Sequence, residues 1–300
     1  MKLLIRPAPE VAIKSKPVRR QQMRHLRQNI RKLLARLDPE IRVEGSWDRV
    51  DVEVPDGRGL SGPALELLLR IPGISTIQEI GAFPFVSLED VAEKAVEAFA
   101  DRLAGKTFAV RARRHGEHSF RSIDLERTVG AALMQASGAS GVDLKSPQVE
   151  VRIEVQDDQF HIAHRKHRGL GGYPLGSVEN VLTLISGGYD SSVAAYLMMR
   201  RGLRNHFLFF NLGGTAHEVG VRQVVHYLWD RYGASHSAKF ISVPFEGVVA
   251  EIMRSVSHRH WGVVLKRQML MAAAEIARKN NASGVVTGDA VAQESSQTLS

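Results

Sequence analysis

The sequence contains no cysteine among its 300 residues. A disulfide framework is therefore excluded, as is any Cys-ligated zinc or iron–sulfur centre within this chain. Long hydrophobic runs are missing too, and no apolar stretch approaches the roughly eighteen residues that a membrane-spanning helix needs. The opening MKLLIRPAPE pairs a charge with a short apolar stretch but breaks at Pro7 and Pro9, unlike a signal peptide. These absences predict a cytoplasmic protein without a membrane segment. There is no internal repeat and no low-complexity tract. Negative charge is scarce in one region: residues 1–50 carry 13 Lys and Arg against 5 Asp and Glu, whereas the other 250 carry 27 against 27.

What is present is an ordinary globular composition, 44% apolar and 24% charged, in a chain long enough for two or three domains. The local basic excess favours a polyanionic partner through counterion release, nucleic acid being the usual one. It also fits a solvated helix face.

Hydrophobic spacing divides the chain. Residues 2–6 read as a strand. From 18 to 37 apolar residues recur at helical spacing (Met23, Leu26, Ile30, Leu33, Leu34), with Arg20, Arg24, Arg27 and Arg31 on the other faces. Two alternating strands at 41–46 and 49–54, a helix at 62–70 and a strand at 74–80 complete the order βαββαβ. That order is ferredoxin-like and assigns residues 1–83 to one domain. A second unit, 84–168, begins with a helix capped at Ser87. A strand at 107–114, a helix at 122–137 opening on Ile123-Asp124 and Glu126, and strands at 148–156 and 159–165 joined at Asp157-Asp158 follow. Basic residues end two of those strands: Arg111, Arg113 and Arg114 on one, Lys166 and Arg168 on the other. Residues 169–178 are glycine-rich and read as a flexible linker. From 179 to 300 the pattern changes to strands at 181–185, 207–211, 239–244 and 284–287 alternating with helices. The first of these is continuously apolar, as expected for a parallel sheet buried on both faces. The predicted fold class is thus an α+β ferredoxin-like domain and a second α+β unit, followed by an α/β doubly wound, Rossmann-like domain.

The segment Ser186-Gly187-Gly188-Tyr189-Asp190-Ser191 lies between the buried strand and a helix. Paired glycines let the backbone bend so that its N–H groups converge, and the following helix adds its positive dipole end, which makes an anion cradle. Ser186 and Ser191 offer hydroxyls to phosphate oxygens. Asp190 cannot bind an anion directly, so its expected task is to hold a Mg²⁺ that does. The Lys-Ser/Thr ending of a Walker A loop is missing.

With its strand and helix, SGGYDS resembles the PP-loop of the ATP pyrophosphatases, and within that superfamily the chain is similar to the tRNA 4-thiouridine synthetase (tRNA uridine 4-sulfurtransferase) family. The resemblance runs through FAVRARRHGEHSFRSIDLE, which is like a THUMP domain, the linker GLGGYPLGS, LISGGYDSSVAAYLMMRRG, FFNLGGTAHEVGVRQVVHYLW, VVLKRQM and VTGDAVAQESSQTLS. It implies a THUMP RNA-binding domain at 84–168 and a PP-loop domain at 179–300. It implies ATP contacts from Leu184, Ile185, Ser186, Gly187, Gly188, Ser191, Lys266, Gly288 and Gln297, with Asp190 as the catalytic carboxylate and Mg²⁺ ligand. It also implies tRNA contacts from Arg20, Arg24, Arg27, Arg31, Arg111, Arg113, Arg114, Lys166 and Arg168. The family usually has Glu where this chain has Asp289.

The implied reaction adenylates the C4 oxygen of uridine 8 in tRNA and replaces it with persulfide sulfur supplied by a cysteine desulfurase. The implied assembly is a homodimer, with a thiamine sulfur-carrier protein as a further partner if the parent also serves thiamine synthesis. No thiol of this chain can carry the sulfur, and four strands are fewer than a PP-loop sheet expects. We therefore read the sequence as a truncated part of a longer protein, with or without a rhodanese domain. The alternative from another class is an RNA-binding THUMP module whose PP-loop half does not catalyse. Trp47 fits either a core anchor or a base-stacking platform. His258 and His260, if helical, point apart and do not suggest a metal site.

Overall fold

The structure is a computed structural model and describes residues 2–55 and 62–289. The first part forms β1 (Lys2–Pro7), a single turn α1 (Pro9–Ala12), α2 (Lys16–Leu34), β2 (Arg42–Gly45), β3 (Val50–Glu53), α3 (Gly62–Leu69) and β4 (Ile74–Pro84). The order is the ferredoxin-like one with α1 added. Met23, Leu26, Ile30, Leu33 and Leu34 fall on one face of α2 and are buried against Leu3, Ile5, Val50 and Val52 of the strands. Each such side chain taken fully out of water is worth about 1.5–3 kcal/mol. Trp47 is not a core anchor: it is 55% exposed, with the Arg19 guanidinium 4.3 Å above its ring.

The second unit adds α4 (Leu88–Leu103), β5 (Thr107–His115), α5 (Ser122–Ser137), a two-residue β6 (Gly141–Val142), β7 (Val149–Gln156) and β8 (Gln159–Arg168). Ser87 caps α4 by accepting the Asp90 N–H at 3.1 Å. The start of α5 differs from expectation. Arg121 is its N-cap and Asp124 accepts the Arg121 N–H at 2.9 Å, while Glu126 instead accepts the Ala112 N–H of β5 at 2.9 Å. Asp157 sits at the predicted turn with φ of 52°.

Both units share one eight-stranded sheet, ordered β2-β3-β1-β4-β8-β7-β5-β6. Strand β4 is longer than its apolar pattern indicated. It pairs with β1 over 74–80 and with β8 over 76–84, with a register shift between Gln78 and Ile80. Helices cover one face through two apolar cores, and the other face is open.

The linker is not loose. Gly169 and Gly171 donate backbone hydrogen bonds to Ser75 and Ile74 of β4 at 2.8 and 2.7 Å, and Tyr173 donates to the Arg200 carbonyl at 2.9 Å. At Gly172, φ is +79° and a Cβ would lie 2.1 Å from that carbonyl, so glycine here permits contact rather than slack.

The third unit comprises β9 (Asn180–Leu184), α6 (Tyr189–Arg200), β10 (Arg204–Asn211), α7 (Thr215–Leu228) continued by a π-turn (Trp229–Gly233), β11 (Phe240–Pro244), α8 (Glu246–Ser255), a 3₁₀ turn (His258–His260), α9 (Trp261–Lys279) and β12 (Gly284–Val286). Its strands are parallel, in the order β11-β10-β9-β12. His258 and His260 lie on that turn rather than on a helix, and the His258 ring packs on Trp261. No helix among the described residues is long and apolar enough to cross a membrane.

The first and third units touch through α2. Ala234 enters the ferredoxin-like core, and Trp229 and Tyr173 pack against it. Asn29, 2% exposed, donates to the Leu175 carbonyl at 2.9 Å, and Lys32 reaches the Ser235 carbonyl at 3.5 Å. Behind this contact lies His236, whose ring accompanies Ser235 Oγ at 3.0 Å. Burial, then the charges of Arg204, Lys32 and His25, push its pKa down to about 4.

Two outcomes are expected. Asn29→Ala leaves the Leu175 carbonyl unpaired and should cost about 1–3 kcal/mol in denaturant unfolding; an unchanged midpoint would show that this bond does not hold the linker. His236 folds neutral while its unfolded form titrates near 6.5, so the unfolded state binds more protons between those values. Stability should therefore fall by on the order of 2–3 kcal/mol as pH drops from about 6.5 to about 4. His236→Gln should flatten that part of the pH–stability curve, and a curve as steep as that of the unaltered protein would rule His236 out as its source.

Candidate functional site

In a parallel sheet the strand ends and the following helix starts gather on one side, and there the loop after β9 faces the ends of β10 and β12. A cavity of about 600 Å³ opens at that edge, within the size range of nucleotide-sized ligands. Of the residues expected to bind ATP, Leu184, Ile185, Ser186, Gly188, Ser191, Lys266 and Gly288 line it, together with Asp190. Gly187 belongs to the same turn, with φ of +84°. Gln297 lies outside the described residues.

The turn is held by its own serines. The Ser186 N–H donates to Ser191 Oγ at 3.3 Å, the two hydroxyls are 3.2 Å apart, and the Ser192 hydroxyl donates to the Gly188 carbonyl at 2.8 Å. Ser191 is 6% exposed and so organises the loop, whereas the exposed Ser186 is the hydroxyl a ligand meets first. Helix α6 begins earlier than expected, at Tyr189 with extended Gly188 as N-cap, because this serine network closes the first turn before Ser191. Asp190 therefore stands in the first turn, beside N–H groups that carry the positive end of the helix dipole. Tyr189 lines the mouth of the cavity and is 92% exposed.

Gly288 has a reason not visible in sequence. A Cβ there would lie 2.4 Å from both the backbone N and Cα of Ser191. The segment after β12 thus rests directly on the start of α6, and the absent side chain serves that contact. Asp289 reaches Lys266, with Oδ1 accepting from Nζ at 2.8 Å. That bond holds the Asp289 carboxyl below its usual range and places the ammonium at the cavity wall. The shorter carboxylate spans the gap.

Three features escaped the sequence reading. His217, in the first turn of α7, lines the cavity with Nε2 3.3 Å from the Ser186 carbonyl and its ring edge-on to Phe209 at 5.1 Å. Phe209 and its β10 neighbours Leu208 and Phe210 form an apolar wall, which the apolar run at 207–210 could have signalled. Glu218 accepts from Ser242 at 2.8 Å, Asn211 at 3.2 Å and Arg222 at 2.7 Å, which keeps its carboxyl below the usual range and ties the ends of β10 and β11 together. Among the described residues there is no cluster of three or more His, Cys, Asp or Glu able to hold a metal by themselves.

The cationic residues expected to meet RNA divide into two kinds. Arg20 and Arg24 are exposed, whereas Arg27 and Arg31 donate to the carbonyls of Gly45 and Val43 at 3.1 and 2.7 Å. Arg111 pairs with Glu150 at 3.5 Å and Arg114 donates to the His118 carbonyl at 3.0 Å, while Arg113, Lys166 and Arg168 are exposed. The site thus gathers the nucleotide residues into one cavity but spreads the cations over a long surface.

Gly288→Ala should force the loop away from α6. Overpacking of this kind costs about 1–3 kcal/mol, so nucleotide affinity measured by calorimetry should fall roughly tenfold or more with the far-UV spectrum kept. Unaltered affinity would mean that the cavity does not depend on this contact.

Comparison with known proteins agrees with this architecture. A ThiI ferredoxin-like domain model matches residues 2–77, a THUMP domain model 85–165, and a model described as thiamine biosynthesis protein (ThiI) 176–300. The chain is 82% identical over 299 residues to a tRNA sulfurtransferase of Marinobacter nauticus and 51% identical over 301 residues to that of Pseudomonas aeruginosa UCBPP-PA14. It spans 62% of the length of each. Among solved structures, a 4-thiouridine synthetase–RNA complex with bound ATP matches with a TM-score of 0.82 at 23% identity, covering 100% of this chain and 76% of that one. PH1313 from Pyrococcus horikoshii matches with a TM-score of 0.66 at 22% identity, covering 96% and 86%. The fold of all three units is the one these proteins share, and the chain belongs to the ThiI family.

Proposed function

We propose that this chain forms the tRNA-binding and ATP-using part of a tRNA sulfurtransferase, divided into 1–83, 84–168, a linker at 169–178 and 179–300. The observation that carries the reading is the convergence of Ser186, Gly188, Asp190, Ser191, Lys266 and Gly288 on one cavity at the strand ends. In this reading the loop N–H groups and the α6 dipole hold the phosphates of ATP, and Leu184 and Ile185 meet its adenine and ribose. Lys266 offsets charge on the departing pyrophosphate. The uridine O4 attacks the α-phosphorus and pyrophosphate leaves. The terminal sulfur of a persulfide then attacks C4 as AMP departs. A second thiol, also outside these 300 residues, cleaves the S–S bond to leave sulfur on C4 and a disulfide.

Mg²⁺ needs near-octahedral oxygen ligands and is commonly bound by one or two carboxylates plus substrate phosphates. Asp190 at the cavity wall, with Asp289 already bonded to Lys266, fits that pattern. When bound, the ion would neutralise phosphate charge. Because the 300 residues contain no cysteine, the sulfur-carrying thiol belongs outside them, and a cysteine desulfurase is the proposed source. A cytoplasmic location, a homodimer, and a thiamine sulfur-carrier protein as a further partner complete the proposal.

ATP/pyrophosphate exchange with unmodified tRNA tests it in the full-length protein. Exchange should require tRNA and fall by about 10²-fold or more in Asp190→Ala, with tRNA binding retained. A full-length protein that binds tRNA yet shows no exchange would sink the enzyme reading in favour of an RNA-binding module.

A further inference from the structure

A second cavity of about 600 Å³ lies where all three units meet, far from the strand ends of the third unit. Lys166 and Arg168 at the end of β8, Ser75 and Thr76 of β4, the linker backbone at Gly169 and Gly171, and Arg200 at the end of α6 line it. We propose that this cleft seats the phosphate backbone of RNA, with Arg168 and Arg200 as its principal cations. The inference rests on the tRNA reading above and names a surface for it.

Strand register places the cations. Arg6 of β1 stands opposite Thr76 of β4, which stands opposite Arg168 of β8, so the three share the open face in one row. Two strand spacings separate the arginines, about 10 Å. Lys166 lies two residues on, on the same face. Arg6, Lys166, Arg168 and Arg200 are all exposed, and none has an ion-pair partner among the described residues.

Elsewhere on that face most charges are spent, the exposed Arg113 of β5 being an exception. Arg111 and Arg152 meet Glu150 at 3.5 and 2.6 Å, His115 meets Glu154 at 3.1 Å, and Lys2 meets Glu53 at 3.7 Å. In the cleft itself His167 is paired with Glu79 at 2.5 Å, and Glu10 is the one carboxylate on the described wall. Local positive potential therefore concentrates at this junction rather than at the arginines of β5.

The wall chemistry selects the ligand class. It offers guanidinium and ammonium groups, two hydroxyl side chains and glycine backbone, which are the groups that contact phosphate oxygens. Its apolar side chains are Pro9 and Leu170, and it has no aromatic anchor of the kind that a docked protein needs. Arg200 is preset: its Nε donates to the Leu170 carbonyl at 3.1 Å, so the fork is fixed with its terminal nitrogens left for a phosphate. Arg200 is also the last residue of the helix whose first turn carries Asp190. At 1.5 Å per residue, roughly 15 Å of rigid α6 separates the two, so the cleft and the nucleotide cavity are fixed relative to each other.

The test is tRNA binding by the full-length protein as a function of salt, comparing the unaltered protein with Arg168→Gln/Arg200→Gln. Affinity should fall roughly tenfold or more at low salt, and the slope of log affinity against log salt should decrease by about 1–2, with ATP affinity and melting temperature unchanged. Arg200→Lys keeps the charge and should keep the slope. Equal weakening by Lys and Gln with an unaltered slope would show a structural effect through the linker and overturn the proposal, as would unchanged affinity in the double variant. Inorganic phosphate titration separates the sources: saturable millimolar binding that the double variant loses would make this a small-anion site and overturn an RNA seat. If the unaltered protein binds no tRNA, the tRNA reading itself fails, whereas tRNA binding indifferent to these residues removes only the cleft.

Discussion

Strand β4 gives one edge to β1 and the other to β8, and that double pairing is the constraint on which the rest of the molecule depends. Its eleven residues are longer than either neighbouring unit needs for its own core. The surplus fuses the ferredoxin-like unit and the THUMP unit into a single eight-stranded sheet, so their helices cannot rotate independently without breaking ladder hydrogen bonds. The register shift at Gln78/Ile80 takes up the mismatch between the two halves. Because β8 runs to Arg168 against the start of β4, the glycine-rich segment leaves the sheet at a fixed point, still bonded to Ser75 and Ile74.

From that exit the third unit is placed by short-range contacts. The Gly172–Arg200 approach docks the linker on the end of α6, and the Asn29–Leu175 bond docks it on α2. The start of α6 is gripped in turn by Gly288. One helix is therefore clamped at both ends, by the linker at its C-terminus and by the segment after β12 at its N-terminus. A phosphate-binding loop benefits from that arrangement, since converging N–H groups help only if they need not reorganise when the charge arrives.

Much of this was legible in the chain itself. Hydrophobic period found nearly all the longer elements to within a few residues, because helices such as α2 and strands such as β3 bury a single clean face. SGGYDS announced its turn, since two glycines between an apolar strand and a helix have few other uses. What stayed hidden involves partners distant in sequence. Nothing in the local pattern says that β4 should outrun its apolar stretch to meet β8, that Glu126 should bond β5 instead of capping α5, or that Gly288 should touch Ser191. His217 was missed for the same reason: a histidine in a helix is unremarkable until Ser186, 31 positions earlier, is found beside it.

The basic segment shows why charge counts alone mislocate a surface. The first fifty residues hold the whole excess of the chain, and α2 displays it as a stripe of arginines. Yet Arg27 and Arg31 use donors to hold the β2 edge, and Lys32 stands with His25, Arg204 and His236 at a domain contact, where burial and then like charges push the His236 pKa down. These cations help to build the fold, and a guanidinium already bonded to a carbonyl has fewer donors to offer a phosphate. A polyanion is drawn to potential that is not cancelled locally, and that condition depends on where the carboxylates lie. Glu150 and Glu154 cancel much of the THUMP edge, while the junction of β8, the linker and α6 has one carboxylate among several free cations. The distribution of acidic residues, more than that of basic ones, thus sets where the nucleic acid can rest.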